Sequence, residues 1–170
     1  MSQRLLVADS GPLIALARLG LLALPQRLFA EVLVTTTVWV EVTGAPSRGE
    51  HADLHAARQH GWLKVVDDPA AIAAIFSSPL LDKGERTALS LSLSLSLSLV
   101  GSCDVLIDER RGRLAAEAAG LNVLGTLGLL VRARQLNLIG PVRPLAERLL
   151  SSGYHLAQAL VEKTLAALGE

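Results

Sequence analysis

Five residues of this chain combine side chains capable of chemistry with positions that could bring them together. Asp9 and Asp108 each close a short apolar run, RLLVAD at 4–9 and DVLID at 104–108. Glu41 follows the β-branched run EVLVTT at 31–36, Glu85 opens the long segment GERTAL, and Ser10 adds a hydroxyl directly after the first acid. Short apolar runs bounded by turn signals read as buried strands, and ligand sites in open parallel sheets lie beyond the carboxyl ends of strands. Both aspartates are therefore expected to point into one crevice, where Glu41 and Glu85 could converge on them. Carboxylates gathered in one place repel one another unless a cation joins them. An all-oxygen set with few His or Cys favours Mg²⁺ or Mn²⁺. The chemistry that fits is metal-assisted phosphodiester hydrolysis, in which the ion activates a water and stabilises charge on the phosphate and leaving oxygen.

Each acid also has a plainer reading. Asp9 could cap the helix that begins at Ser10, Glu85 could favour the positive end of its own helix, Glu41 could be an exposed glutamate, and Asp108 could open a turn with Glu109 and Arg110. Other constellations carry less. Asp9-x-Gly11 lacks the second aspartate of phosphatases that use an Asp nucleophile at a strand end. His51 and His55 stand four apart on one helix face, with His60 near, but HADLH lacks the glutamate of the H-E-x-x-H zinc pattern, and a polar surface helix accounts for them. Trp39, Trp62 and Tyr154 are too scattered for a base-stacking platform, and packing is their expected role.

The elements that must position the acids alternate. RLLVAD is a strand, and SGPLIALARLGLL offers a cap residue, an early proline and helical apolar spacing. EVLVTT is a second strand. TVWVEVTG stays open, since its β-branched residues favour a strand while a threonine cap and a glycine stop allow a short helix. GEHADLHAARQHG predicts a helix, WLKVVDDP a strand, AAIAAIF a helix and SSPLLDKG a loop. DVLID, RRGRLAAEAAG and NVLGT predict strand, helix and strand, and three further helices follow, punctuated by Gly and Pro. Alternation of this kind implies an α/β fold with a mostly parallel sheet and helices on both faces.

Between Leu89 and Leu99, leucine and serine alternate strictly. Period alone suggests a strand, but eleven residues is long for one, and no turn signal separates the run from Glu85. As a helix it carries two apolar stripes, Leu89/Leu93/Leu97 and Leu91/Leu95/Leu99. It should be buried on both flanks, with serines bonding back to carbonyls one turn earlier. A membrane span is the weaker reading, because serine fills nearly half the positions.

With 170 residues and 51% hydrophobic content, the chain is expected to form one domain over 1–170. The start lacks the long apolar core of a secretory leader, and one cysteine cannot form an internal disulfide, so a cytoplasmic setting is expected. Net charge is zero but unevenly spread: residues 1–108 hold 8 basic against 11 acidic residues, and 109–170 hold 8 against 5. An acidic centre beside a cationic rim would follow, although solvated surface arginines explain the same numbers.

ADSGPLIALARLG at 8–20, VWVEV at 38–42, KGERTAL at 83–89, DVLIDERRGR at 104–113 and VLGTLGLLVRARQLNLI at 123–139 resemble, in this order, a branch of prokaryotic PIN-domain proteins. The resemblance continues through VRPLAERLLSSGY to the last helix. It implies a PIN-like three-layer α/β/α fold with extra C-terminal helices over about 141–170, and a Mg²⁺- or Mn²⁺-dependent ribonuclease acting on RNA. It also implies a toxin-like, VapC-like protein paired with a small antitoxin. Asp9, Glu41, Glu85 and Asp108 match the family's acidic quartet as metal ligands, and Ser10 its hydroxyl residue. The third acid is Glu85 where most PIN enzymes carry aspartate, and the leucine-serine run looks expanded within its helix. The rival expectation is a catalytically silent PIN-fold module. Its high apolar content would serve assembly, as a homodimer or with a partner.

Overall fold

The computed structural model describes residues 4–44, 50–98 and 103–170. Strands β1 (Leu5–Ala8), β2 (Glu31–Thr35), β3 (Leu63–Val66), β4 (Cys103–Leu106) and β5 (Asn122–Leu124) form one sheet in the order β3-β2-β1-β4-β5. Every pairing is parallel, and Ala8 stands opposite Leu106. The two central strands are almost wholly apolar and buried, as a sheet covered on both faces requires.

Eight α-helices lie among the described residues: α1 (Ser10–Arg18), α2 (Thr36–Thr43), α3 (Glu50–Gln59), α4 (Lys83–Ser98), α5 (Arg110–Ala118), α6 (Thr126–Gln135), α7 (Arg143–Ser151) and α8 (Gln158–Leu168). The chain steps outward from β1 to β3, crosses back to β4 and steps the other way to β5. Parallel crossovers are right-handed, so this reversal sends the helices to opposite faces. On one face Val105 and Ile107 pack with Leu89, Phe76 and Ala116. Leu106 turns to the other, into a larger cluster that includes Leu13, Leu16, Leu54, Leu129 and Leu165. This is a three-layer α/β/α arrangement.

The ambiguous TVWVEVTG segment is helix α2. The Thr35 hydroxyl accepts the Val38 N–H at 3.3 Å, and Asp68 accepts the Thr37 N–H at 2.9 Å and the Thr37 hydroxyl at 2.6 Å. Two caps at one helix start outweigh the β preference of its valines. AAIAAIF, expected to be a helix, forms only a 3-10 turn over Ala74–Phe76. Phe76 alone is buried, and the Ala73 N–H bonds to the Ser90 hydroxyl at 3.0 Å instead of continuing a helix.

The leucine-serine run belongs to α4. Leu91 and Leu95 pack on the larger cluster and Leu89 and Leu93 on the smaller, so the two stripes serve two cores. Ser92 bonds back to the Ala88 carbonyl at 2.9 Å. Burial fades along the helix: Leu89 is 0% exposed and Leu97 is 79% exposed, while Leu99 lies outside the described residues.

After α6 the chain folds back on itself. The Glu170 carboxylate accepts the N–H groups of Val142 at 2.6 Å and Arg143 at 2.9 Å, and its backbone oxygen accepts from the Arg143 guanidinium at 2.6 Å. The start of α7 is thereby tied to the end of α8, and the segment between these helices is held across the carboxyl edge of the sheet. Among the described residues no helix is long and apolar enough to cross a membrane.

The burial gradient along α4 gives a direct test. Leu89→Ala should cost about 2–5 kcal/mol by opening a cavity between α4 and the sheet, while Leu97→Ala should change stability by less than about 0.5 kcal/mol. Urea melts of the two variants would show the difference, and equal losses would contradict the one-ended burial.

Candidate active site

The strand order reverses between β1 and β4, and the first acid sits at that point. Asp9 directly follows β1, and its N–H donates to the Leu106 carbonyl at 2.9 Å, extending the β1–β4 pairing by one residue. It occupies the N-cap position of α1, yet its side chain makes no capping hydrogen bond. Asp9 is 6% exposed, and its Oδ1 is buried with no hydrogen-bond partner among the described residues. Burial pushes its carboxyl up from 3.8 to about 7. The Ser10 N–H partly offsets this, and the nearby charges of Asp82, Glu85 and Glu41 reinforce it.

Glu85 is held by the start of α4. Asp82 and Glu85 form a reciprocal cap: the Glu85 N–H donates to Asp82 Oδ1 at 2.7 Å, and the Asp82 N–H donates to Glu85 Oε2 at 2.8 Å. The helix thus uses one oxygen of Glu85. The other, Oε1, is buried without a partner among the described residues and lies against α5 at Gly112. A methyl group there would stand 2.7 Å from Oε1 and 2.3 Å from Ile107 Cδ1, so a larger residue would have to push these side chains aside. Burial raises the Glu85 carboxyl, opposed by the Asp82 N–H.

Glu41 projects from α2 onto the same helix start. Burial first, then the charge of Asp82, raises its carboxyl above its ordinary range, and the nearby Ser10 hydroxyl and Gly84 N–H partly offset this. A methyl group at Gly84 would come within 2.4 Å of Glu41 Oε2.

Asp108, two residues beyond β4, is differently engaged. Its Oδ1 accepts the Thr126 N–H at 2.8 Å, and its Oδ2 accepts the Thr126 hydroxyl at 2.5 Å and the Tyr154 hydroxyl. It therefore anchors the first residue of α6. Asp9, Ser10, Arg18, Asp82, Glu85, Asp108 and Tyr154 are among the residues lining a cleft of about 320 Å³.

The structure thus gathers Asp9, Ser10, Glu41 and Glu85 at one helix start and sets Asp108 on the same cleft with its oxygens already bonded. Asp82, read from the sequence as part of a loop, joins the cluster; its D-x-x-E spacing before an apolar run is a capping signature that could have marked it. Tyr154, assigned to packing, carries no comparable signal. His51, His55 and His60 do not line the cleft, His55 lying edge-on to Trp39 with ring centroids 5.3 Å apart, whereas His155 lines it beside Tyr154. As placed, no group of three or more His, Cys, Asp or Glu side chains among the described residues stands ready to hold a metal ion. The donor chemistry nevertheless fits a hard divalent cation. Two buried carboxylate oxygens lack any partner beside further carboxylates, a situation a cation relieves.

An all-parallel sheet covered on both faces, with acids at its switch point, defines an α/β/α domain with a carboxylate-lined cleft. The family follows from the chain itself: the family model described as PIN domain matches residues 5–170, and the chain belongs to the PIN-domain family. PIN domains are in general nucleases. No curated protein matches the chain.

Two consequences can be measured. Folded Asp9 keeps its proton up to about pH 7 while the unfolded chain releases it near 3.8, so the unfolded state binds fewer protons in between. Metal-free protein should therefore lose stability as pH rises from about 4 to about 7, by something on the order of 4 kcal/mol. Asp9→Asn should flatten that part of the pH–stability curve; an unaltered curve would remove Asp9 from the buried cluster. Asp108→Ala should cost about 2–4 kcal/mol, because the Thr126 N–H and two hydroxyls lose their acceptor. A thermal melt with no change would show that Asp108 anchors nothing.

Proposed function

We propose that the protein is a Mg²⁺- or Mn²⁺-dependent endoribonuclease that hydrolyses RNA phosphodiester bonds and acts as the toxin of a toxin–antitoxin pair. The observation that carries this reading is the pair of buried, unpartnered oxygens, Asp9 Oδ1 and Glu85 Oε1, in one cleft with Asp82 and Asp108. Asp9, Glu41, Glu85 and Asp108 would hold the ion. The chemistry a bound divalent cation supplies is a more acidic water and a stabilised phosphate and leaving oxygen. The chain's own residues do the rest. The reciprocal Asp82–Glu85 cap fixes the rotamer of Glu85, and the Ser10 hydroxyl favours the charged form of Glu41. The preference for RNA and the antitoxin partner rest on the resemblance to the toxin-like branch of the family.

A second reading has its own observation. Leu114 and Leu160 are more than half exposed along a groove of about 710 Å³ between α5, α6 and α8, and Leu80 and Val40 are exposed elsewhere. Apolar surface of this kind supports an assembly role, as a homodimer or with a protein partner.

Incubation of purified protein with single-stranded RNA separates the two. Cleavage should require Mg²⁺ or Mn²⁺, stop with EDTA and fall at least about a hundredfold in Asp9→Asn and in Glu85→Gln, each still folded. RNA left intact under all metal conditions, together with a dimer by light scattering, would favour the assembly module.

A further inference from the structure

Tyr154 packs against the larger hydrophobic cluster, yet its hydroxyl does more than packing asks. It lies in the segment between Ser151 and Gln158 that joins α7 to α8, and its hydroxyl crosses the mouth of the cleft to donate to Asp108 Oδ2. It passes close over Gly11, where a methyl group would stand 3.4 Å from the Tyr154 oxygen, at ordinary van der Waals contact. The hydroxyl therefore sits between the segment that follows β1 and the acid that follows β4, on the surface shared by Asp9, Glu85 and Asp108.

A carboxylate offers about four lone-pair sites, two on each oxygen. On Asp108 Oδ2 one site is taken by the Thr126 hydroxyl, from the side of α6, and the other by the Tyr154 hydroxyl, from the side of the cleft. Oδ1 is engaged by the Thr126 N–H. Of the carboxylates lining the cleft, Asp9 and Glu85 each keep a buried oxygen without a partner among the described residues, whereas Asp108 meets a hydroxyl donor on that side. An O–H dipole aimed at a carboxylate occupies the place a cation would take. The two cannot both bind the same lone pair.

Taking the cleft as the cation site proposed above, we propose that Tyr154 is a positioning residue that competes with the cation for Asp108. In the metal-free protein its hydroxyl holds the carboxylate in its α6-anchoring position. On cation binding it gives up Oδ2, and the segment between α7 and α8 that carries it shifts. The affinity of the site is thereby lowered by the strength of one hydrogen bond to a charged group.

Replacing Tyr154 with Phe removes the competitor and keeps the ring. By calorimetric titration, Mn²⁺ should bind Tyr154→Phe about tenfold more tightly than the wild type, the size of one charge-assisted hydrogen bond. A merely structural tyrosine would leave the affinity unchanged or weaken it. Tyr154 is also the chain's one tyrosine, so 3-fluorotyrosine labelling yields a single ¹⁹F resonance in the otherwise unaltered protein. Mg²⁺ should shift that resonance, and this measurement decides the matter if Tyr154→Phe does not fold. Unchanged or weaker Mn²⁺ affinity in the variant, or a resonance that saturating Mg²⁺ leaves in place, overturns the role of Tyr154 while the cation site stands. Absence of Mn²⁺ and Mg²⁺ binding to the wild type overturns both.

Discussion

Taking a carboxylate out of water at the end of a central strand is costly, and this fold does so at Asp9, where β1 meets β4. The parallel pairing that carries the Asp9 N–H to Leu106 also sets the depth of the side chain, so the acid cannot retreat to solvent without breaking the sheet. Its Oδ1 is left without a partner among the described residues, and its neighbours are further acids. The result is a site poised against its own charge. It is kept in place by the core beneath it, which supplies the apolar burial that an isolated acidic loop would lack.

The surrounding elements are fitted to that constraint. The first turn of α4 places Asp82, Gly84 and Glu85 within four residues, each with a separate task. Asp82 and Glu85 cap one another, and Gly84 leaves Glu41 an open face. Across the interface Gly112 lies within α5 where a longer side chain would press on Glu85 and Ile107. Glycine within a helix costs on the order of 1 kcal/mol relative to alanine, a modest loss beside the room it gives the acid.

Much of this layout was legible in the sequence, for identifiable reasons. The apolar runs ending in Asp9 and Asp108 marked strands and placed both acids at the carboxyl edge, because burial on two faces demands uninterrupted hydrophobic residues. The period of the leucine-serine run misleads when read alone, and the helix followed only from its length and the absence of a turn. What stayed hidden depends on distant partners. Asp68, 31 residues from Thr37 in sequence, helps cap α2. Ser90, 17 residues from Ala73, takes the N–H that a helix through AAIAAIF would have used. Tyr154 reaches Asp108 across 46 residues. No local pattern announces such contacts.

Helix α4 belongs to both hydrophobic clusters at once, with Leu91 and Leu95 in one and Leu89 and Leu93 in the other. A shared wall of this kind makes the two cores one cooperative unit, since neither can loosen without uncovering leucines that serve its neighbour. Glu85 stands at the head of that wall. The third acid is thus moored to a deeply buried part of the molecule, and the amide protons of the buried first turns of α4 should exchange only when the whole chain unfolds.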